Sequence, residues 1–419
     1  MKITLYSYSY HKGGAAIAAR KFYDILLSLG YEVVRVSQDN AGKFQFVLRV
    51  ISYILGLCQK RDESIKHSLN LFSCKDVLRG LSQSDCIHHI HWINNDTLSV
   101  FSFDKIPQNS LITLHDEWLY CGTEHYCKFT QPVGNDSSLL RSLPFLCGYE
   151  NSLIDRDGLN WRYIIWQQKL KKLSLRDDLI FTVPSGWMLE RASTSQILRG
   201  KDIRVLPNPI DTEVFINLYS KEQSKKNIGF DETDILLTFG AIDCGKNLAK
   251  GAMLLISAIK ILPELLPENI LSRIKLVTFG GTGEQTDYDL PFPCVSYGHI
   301  KEQHKLAAIY SASDCVVVPS YVESFGQVAA EAQSCGALVV AFATSGLKDI
   351  VVDGETGYLA EPFSVHSLAE KMSGVLSLSL EQNKIMSINA RQHIIDNFSY
   401  KVIGNKYNEI INEIINRNS

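Results

Sequence analysis

The chain contains 419 residues, of which 45% are hydrophobic and 21% are charged, and this length favours two domains of about 200 residues each over a single core. Its 42 basic and 45 acidic residues give a net charge of −3, which excludes the strongly basic character of most nucleic-acid-binding proteins. Ten scattered cysteines without a C-x-x-C pair argue against a disulfide framework and indicate a reducing cytoplasm. The first residues enter a strand directly, so we expect no signal peptide.

The first half of the chain alternates between short apolar strands and helices. This alternation is typical of a mostly parallel, doubly wound sheet. A helix is predicted over residues 15–29, and Gly30 closes it. The predicted strands cover residues 2–8, 31–37, 85–92, 110–115, 178–185 and 203–206. Pro207-Asn208-Pro209 then predicts a stiff crossing out of this domain.

The second half repeats the alternation. A helix is predicted over residues 251–262, and residues 367–417 are expected to be mostly helical. The predicted strands cover residues 235–240, 275–280, 295–298, 314–318 and 338–342. We therefore predict an α/β protein with two doubly wound, Rossmann-like domains that face an inter-domain cleft. The expected boundaries are residues 1–205, residues 206–395, and a C-terminal helix over residues 396–419 that packs back on the first domain.

Two segments rich in apolar and aromatic residues leave alternatives open. Residues 44–58 are too few to span a bilayer comfortably, and they read either as a partly buried helix or as a helix on a membrane surface. Residues 161–176 mix aromatic residues with Lys169, Lys171, Lys172 and Arg176, and they pose the same choice. For the first segment we favour the partly buried helix, and for the second a solvated helix face.

Several residues of the first half could carry chemistry. Gly13-Gly14 follows the first strand and precedes a helix, so it could be a turn that approaches a phosphate or an ordinary tight turn. His115 ends a predicted strand, where it could serve as acid, base or hydrogen-bond donor, although a structural role is the usual alternative. His89 and His91 read as packing positions. A zinc site built from Cys121, His125, Cys127 and Cys147 is an alternative that their irregular spacing does not favour.

The most informative stretch of the second half is residues 314–336. A buried strand leads into Pro319-Ser320-Tyr321-Val322-Glu323, and a helix follows from Gln327 to Ser334 and stops at Cys335-Gly336. Glu323 would lie at the carboxyl edge of a sheet, and Glu331 would lie inside the helix. Lys250-Gly251 and Gly280-Gly281-Thr282-Gly283 also follow strands of this sheet, and together they favour a bound phosphorylated ligand.

These motifs together resemble the retaining GT-B glycosyltransferases, in particular family 4. The resemblance covers nearly the whole chain and is strongest from about Val205 to Phe398. The matching motifs of the second half occur in the order Val205–Asp211, Phe239-Gly240, Lys250-Gly251, Gly281-Thr282-Gly283, Tyr297–Ile300, Glu323–Glu331 and Asp353–Leu359. In the first half, Gly13-Gly14, Leu114–Trp118 and Pro184-Ser185 match, and the stretch from His115 to Tyr126 resembles bacterial capsule, O-antigen and colanic-acid transferases.

The resemblance implies a nucleoside diphosphate sugar as the donor and a role for each matching residue. Glu323 would bind the transferred sugar and stabilise positive charge at its anomeric carbon, His115 would approach the reacting sugar, and Glu331 would accept hydrogen bonds from the ribose. Residues that would meet the diphosphate or border the base are Gly14, Lys246, Lys250, Gly281, His299, Ile300, Ser324, Phe325 and Gly326. Such enzymes use no metal, so Lys side chains and backbone dipoles would stabilise the leaving group.

The implied reaction retains the anomeric configuration, by same-face attack or, alternatively, by double displacement with Glu323 as nucleophile. The acceptor would be a saccharide, expected to be lipid-linked, in bacterial surface-polysaccharide synthesis, and the protein could contact the inner membrane surface peripherally. Residues 40–84 and 121–161 are expected to recognise that acceptor.

One departure from the family pattern keeps other functions open. Ala241 stands where relatives usually carry an Arg beside the diphosphate, and Lys246 is the candidate replacement. The alternatives are therefore a binding protein of the same fold with weak or no turnover, and a nucleotide-sugar epimerase of related fold.

Overall fold

The computed structural model describes residues 1–59, 65–127, 143–149, 154–155, 158–240, 248–281 and 289–418. The chain divides into two compact units. Unit 1 contains residues 1–209 together with 403–419, and unit 2 contains residues 210–402. Each unit is built on a six-stranded sheet in which all neighbouring strands run parallel. The prediction of two doubly wound α/β domains is confirmed.

The sheet of unit 1 has the strand order β2-β1-β3-β4-β7-β8. All five residues of β3 and all four of β7 are buried, as expected for central strands covered by helices on both faces. A two-stranded antiparallel hairpin, β5-β6, lies outside this sheet. The strands are β1 Lys2–Tyr6, β2 Glu32–Val36, β3 Cys86–Ile90, β4 Leu111–Thr113, β5 Ile154–Asp155, β6 Gly158–Leu159, β7 Ile180–Val183 and β8 Asp202–Val205.

Within the described residues, unit 1 has six helices before residue 210 and one at the end of the chain. They are α1 Gly14–Ser28, α2 Lys43–Gly56, α3 Lys75–Leu81, α4 Pro144–Cys147, α5 Trp161–Leu173, α6 Gly186–Thr194 and α15 Tyr400–Asn418. A 3₁₀ turn covers Val100–Lys105. The last helix belongs to unit 1 from Ile403 onward, and its Ile403, Tyr407, Ile411 and Ile414 side chains are fully buried.

The sheet of unit 2 has the strand order β11-β10-β9-β12-β13-β14. Its strands are β9 Ile235–Gly240, β10 Ile274–Phe279, β11 Cys294–Ser296, β12 Cys315–Val318, β13 Leu338–Phe342 and β14 Gly357–Ala360. Its helices are α7 Lys221–Asn227, α8 Ala252–Leu265, α9 Glu268–Leu271, α10 Gln303–Ala312, α11 Gln327–Ser334, α12 Leu347–Ile350, α13 Val365–Leu376 and α14 Leu380–Phe398, and a 3₁₀ turn covers Leu248–Lys250. Apolar side chains on both faces of the sheet form the core.

The strand order of unit 2 places its switch point between β9 and β12. The chain winds outward in one direction through β10 and β11, and in the other through β13 and β14. Open α/β sheets bind ligands outside the carboxyl ends of the strands at such a point, because the loops there diverge and leave a crevice. The 3₁₀ turn at Leu248–Lys250 and the loop that follows β12 therefore position the candidate site.

Helix α2 is present, as predicted, but the side that packs against the rest of unit 1 consists of polar and small residues. The residues of α2 that are buried are Gln45, Ser52 and Gly56, while Phe46 and Tyr53 are among its exposed apolar residues. The partly buried helix that we favoured is therefore buried through its polar and small side chains. Hydrophobic periodicity identifies a helix but does not show which face it turns inward.

The segment around Lys169 differs from the solvated face that was expected. Lys169 is fully buried in α5, and its Nζ donates hydrogen bonds to the carbonyl oxygens of Trp118, Cys121 and Gly122. Three carbonyl acceptors replace the water that a buried ammonium group loses. Burial nevertheless lowers the pKa of Lys169 to about 7.

Candidate active site

The centre of the candidate site is a contact between Lys250 and Glu323. Lys250 ends the 3₁₀ turn that follows the β9 loop, and Glu323 lies in the loop after β12. Lys250 Nζ lies 2.6 Å from Glu323 Oε1, with the lysine side chain 33% exposed and the glutamate side chain 18% exposed. The switch point thus brings together a cation and a carboxylate that are 73 residues apart in the sequence.

Gly251 makes this approach of the two loops sterically possible. Its φ is +68°, and a Cβ added there would lie 1.8 Å from the carbonyl oxygen of Pro319. The adjacent backbone is also joined, because Tyr321 N donates to Ala249 O at 2.8 Å. Any side chain at position 251 would push the two loops apart, so glycine is required where Lys250 meets Glu323.

The Glu323 carboxylate and backbone are held by two serines. Ser320 Oγ donates to Glu323 Oε1 at 2.8 Å, and Glu323 N donates to Ser345 Oγ at 2.9 Å. The Glu323 carbonyl oxygen accepts a hydrogen bond from Gly346 N at 2.9 Å. The loop after β13 therefore fixes the loop that carries Glu323, and this fixation orders the carboxylate before any ligand arrives.

Helix α11 starts directly after the Glu323 loop, and its bounds agree with the prediction. Gly326 is its N-cap residue, with φ of +108°, and no side chain caps the backbone N–H groups of the first turn. Phe325 is buried and packs edge-on against Phe398, so its side chain belongs to the core. The backbone of residues 324–326 and the first turn of α11 present N–H groups that suit an anion.

Glu331 lies on the second turn of α11 and is buried. Its Oε1 accepts a hydrogen bond from Gln327 Nε2 at 2.5 Å. A buried carboxylate needs hydrogen-bond donors, and Gln327 is one of them here. Glu331 therefore lies on the same loop and helix as Glu323, as the sequence predicts.

The remaining predicted residues of unit 2 lie at the ends of β10 and β11. Gly280 N donates to Gly298 O at 2.7 Å, so the glycine turn that contains Gly281 adjoins the segment that contains His299 and Ile300. His299 is exposed, whereas Ile300 is half-buried against the core. Lys246 and Ala241 lie outside the described residues, so the question of the second positive charge stays a prediction.

Gly14 and His115 lie in unit 1. Gly14 is the first residue of α1, and the preceding Gly13 has φ of +92°, which explains why a glycine occurs there. His115 follows β4, and its Nε2 lies 3.0 Å from Nδ1 of the buried His91. Burial lowers the pKa of His115 to about 4 even though Asp116 opposes this effect, so His115 is neutral at physiological pH.

Two serines that hold Glu323 were given no role from the sequence. Ser320 and Ser345 hold Glu323, and a serine before the glutamate in the strand-end loop was a usable signal for the first of them. Ser345 reaches the site from the neighbouring strand, which no local pattern indicates. His91 was predicted to be a packing residue, and it is buried, but it also contacts His115.

The candidate zinc ligands of the sequence do not form one group. Cys121 and Cys127 have their Sγ atoms 3.6 Å apart, and together with Glu117 they place their donor atoms within 4.8 Å of one another. Glu117 is paired with Arg191, and its other oxygen accepts from Cys127 N at 2.8 Å. His125 instead contacts Asp116, with 2.6 Å between Nδ1 and Oδ2. A carboxylate already bound by a guanidinium is a poor metal ligand, and these residues read as a structural cluster.

Comparison with known proteins finds a family whose model matches most of unit 2. Residues 220–393 match the model of the family described as glycosyl transferases group 1. The chain is 36% identical over 169 residues to a D-inositol 3-phosphate glycosyltransferase of Stackebrandtia nassauensis, covering 38% of this chain and 37% of that protein. It is 28% identical over 250 residues to the lipopolysaccharide 1,2-N-acetylglucosaminetransferase of Salmonella typhimurium, covering 56% and 62% of the two chains. The chain thus aligns with less than two thirds of the length of each relative.

The fold is found in solved structures across the whole chain. The Anabaena protein HepE in complex with UDP and glucose aligns with a TM-score of 0.61 at 16% identity, covering 99% of this chain and 100% of that one. An identity this low supports the fold, which is the GT-B architecture of two Rossmann-like domains. The family match thus covers most of unit 2, and the structural likeness extends the fold to the whole chain.

Proposed function

We propose that this protein is a retaining hexosyltransferase that transfers a sugar from a nucleoside diphosphate sugar to a lipid-linked saccharide during bacterial surface-polysaccharide synthesis. The observation that carries the proposal is the Lys250–Glu323 contact at the switch point of unit 2, directly before the uncapped start of α11. This arrangement offers a cation and backbone N–H groups for a leaving diphosphate, and a carboxylate beside them for the sugar.

The roles of the residues follow from their chemistry. Lys250 and the N–H groups of residues 324–326 would stabilise the negative charge that develops on the diphosphate as its bond to the anomeric carbon breaks. Glu323 would bind hydroxyl groups of the sugar and stabilise the positive charge that develops on its ring. Glu331 would accept hydrogen bonds from the ribose. The acceptor oxygen forms the new bond to the anomeric carbon, and its proton passes to the departing diphosphate oxygen on the same face.

His115 is proposed to donate a hydrogen bond to the reacting sugar. A neutral imidazole donates through one ring nitrogen while the other accepts, and the lowered pKa of His115 maintains that neutral form. The short distance to His91 gives the ring a fixed partner. Charge neutrality matters because a positively charged imidazolium would oppose the positive charge that develops on the sugar ring.

Two observations support the proposed acceptor. The Salmonella relative is named a lipopolysaccharide 1,2-N-acetylglucosaminetransferase, and we extend the lipid-linked acceptor from that name to this chain. In unit 1, a groove of about 250 Å³ lies within the region expected to recognise the acceptor, and its walls combine Phe46 and Tyr53 with Arg49, Asn70 and Asp96. Mixed apolar and polar walls suit a saccharide attached to a lipid.

The proposal is tested with purified protein, UDP-glucose as the donor probe and EDTA in the buffer. We expect release of UDP, by transfer or slow hydrolysis, and a rate about 10²–10³-fold lower for Glu323→Gln, because one electrostatic stabiliser of the transition state is lost. His115→Ala should lower the rate similarly. Ser257→Ala, an exposed substitution on α8, serves as the control and should keep full activity. Equal rates in native protein and both site variants would refute the assignment.

A further inference from the structure

Helix α2 is amphipathic, but its polar side faces the rest of unit 1 and its apolar side is exposed. Residues 45, 49, 52 and 56 recur at intervals of four, three and four, so they form one stripe of the helix, and this polar or small stripe faces unit 1. The other side carries large apolar residues that are exposed: Phe44, Phe46, Val47, Ile51, Tyr53 and Ile54. Phe46, Tyr53 and Ile54 are 63%, 61% and 54% exposed.

Specific hydrogen bonds hold α2 in this rotation. Gln45 Nε2 donates to the carbonyl oxygen of Asp96 at 2.7 Å, and the Ser52 hydroxyl donates to the Asp96 carboxylate. Arg49 donates to the hydroxyl of Tyr8 at 3.1 Å, and its guanidinium carbon lies 5.2 Å from the centre of the Tyr8 ring. The helix is thus fixed with its apolar side outward, and it could not turn that side inward without breaking these contacts.

The apolar surface continues beyond α2. The hairpin β5-β6 adjoins the end of the helix, because a Cβ on Gly158 would lie 2.6 Å from the carbonyl oxygen of Cys58. That hairpin carries Ile154, which is 73% exposed. At the same end, Trp161 Nε1 donates to Leu55 O at 2.8 Å. A patch that combines a helix face with a hairpin residue is larger than single exposed residues on ordinary surfaces.

We propose that the outward face of α2, together with Ile154, is a docking surface for an anionic lipid bilayer. The charge pattern favours this occupant, because residues 43–59 contain no acidic residue and the exposed Lys43 begins the helix. The exposed Lys75 adds a further positive charge, with its Nζ 5.8 Å from the Phe44 ring centre. An apolar face flanked by basic residues is what binds a helix to the headgroup region of anionic membranes.

A second copy of the chain fits this surface less well. In a symmetric dimer the same patch would face itself, so the exposed Lys43 and Lys75 beside it would be brought toward their own copies. Among the residues that the structure describes, no helix has the length and apolar run that crossing a bilayer requires. A helix of 14 residues would therefore lie in the plane of the surface. The inference deepens the proposed function and rests on it in one respect, namely that a lipid-linked acceptor is encountered at a membrane.

The test is sedimentation of the purified chain with vesicles of phosphatidylcholine and phosphatidylglycerol, and with vesicles of phosphatidylcholine alone. We expect the native protein to bind the anionic vesicles. The double variant Phe46→Glu/Ile54→Glu should have at least about a tenfold lower partition coefficient, because two apolar side chains that would enter the bilayer are replaced by negative charges. The matched control is Leu380→Glu/Ile388→Glu on α14 of unit 2, which replaces two side chains that are 91% and 58% exposed and should change nothing.

Each other outcome overturns the inference. Native protein that stays in the supernatant, or a double variant that sediments like native protein, excludes this surface as the membrane contact. The native protein could instead form concentration-dependent dimers and not bind vesicles. If the α2 variant then stays monomeric, the surface is assigned to a second copy of the chain. The assay needs neither donor nor acceptor, and a native-like urea transition of tryptophan fluorescence, which reports on unit 1, shows that the α2 variant is folded. A failure to sediment is therefore distinguishable from a failure to transfer sugar.

Discussion

Lys250 has two competing uses in this protein. In the structure without ligand it pairs with Glu323 at 2.6 Å, whereas the proposed reaction requires it to meet a diphosphate. The carboxylate also repels the same anion. Both groups retain partial contact with water, so their mutual attraction is modest, on the order of 1 kcal/mol or less. A pair of this strength keeps the lysine in place and still allows it to change partner.

The competition predicts opposite effects of two substitutions on the affinity for UDP. Glu323→Gln removes the competing charge and should tighten UDP binding about two- to fivefold, although it slows transfer. Lys250→Met removes the cation and should weaken UDP binding about tenfold or more, since a charged hydrogen bond to phosphate is lost. Isothermal titration calorimetry at low salt measures both. Weaker UDP binding by Glu323→Gln would contradict the role assigned to this pair.

Strand β3 is unusual because it ends in a group of buried, neutral histidines. His89 contacts the hydroxyl of Tyr407 through Nδ1 and Thr113 Oγ1 through Nε2, the second contact at 2.7 Å. The ring of His91 lies 4.0 Å from that of His89, centre to centre, at a tilt of 38°, and His91 also contacts His115. Burial lowers the pKa of His89 to about 3 and that of His91 well below its ordinary value. Unit 1 therefore folds around imidazoles that carry no charge.

These lowered pKa values predict that unit 1 becomes less stable in acid. Below pH 6.5 the unfolded chain takes up protons that the folded chain does not, so the free energy of unfolding falls as the pH decreases from 6.5 toward 4. Each such histidine contributes up to about 1.4 kcal/mol per pH unit. All five tryptophans, at positions 92, 118, 161, 166 and 187, lie in unit 1, so urea titrations followed by tryptophan fluorescence at pH 7, 6 and 5 report on this unit.

His91→Asn should make the pH dependence shallower, because the variant has one fewer proton to take up on unfolding. The matched control is His366→Gln, an exposed histidine of α13 in unit 2, which should follow the native profile. A flat stability profile of native protein between pH 7 and 5 would show that these histidines are not neutral in the folded state.

The elements show which parts of the structure the sequence could predict. Buried strands such as β9 and β13, and the glycine-stopped helix α11, were predicted to the residue, because apolar β-branched runs and a C-terminal glycine are local signals. Strand β14 was missed, since Gly357-Tyr358-Leu359-Ala360 is short and follows a turn sequence. The outward rotation of α2 and the burial of Lys169 depend on partners from distant parts of the chain, which no local pattern contains.

The candidate site likewise combines residues that a local sequence pattern predicts with contacts that no local pattern contains. Glu323 and Glu331 were found because one short strand–loop–helix segment carries both residues. Their contact with Lys250 and their support by Ser345 depend on which strands are neighbours in the sheet. Sheet order is a property of the whole unit, and it becomes visible only when β9, β12 and β13 are assembled.

At the scale of the whole molecule, the chain leaves unit 1 at residue 209 and returns to it at residue 403. The returning helix is bound at several points. Arg204 of β8 forms two hydrogen bonds to Glu413, at 2.6 and 3.0 Å, and Tyr31 donates to Asn408 at 2.6 Å. Ile411 is fully buried. The last helix is therefore part of the core of the unit that contains the first strand.

This arrangement predicts that a substitution in the last helix weakens unit 1 and spares unit 2. Ile411→Ala should lower the free energy of unfolding seen by tryptophan fluorescence by about 2–5 kcal/mol, since a buried side chain is replaced by a cavity. UDP affinity, a property proposed for unit 2, should stay unchanged at low urea. The control is Glu409→Gln, an exposed position nearby on the same helix. It should leave the free energy of unfolding within about 0.5 kcal/mol of the native value. An unchanged fluorescence transition for Ile411→Ala would contradict the division of the chain.

The return of the chain to unit 1 has a consequence for synthesis on the ribosome. Residues 210–402 follow one another without interruption, so unit 2 can acquire all of its sequence and fold while translation continues. Unit 1 begins first but must wait for residues 403–418, and until then the nascent chain leaves uncovered the apolar surface of β3 and α1 that Tyr407 and its neighbours later bury. Residues 1–209 are thus synthesised before residues 210–402 but reach their final packing after them.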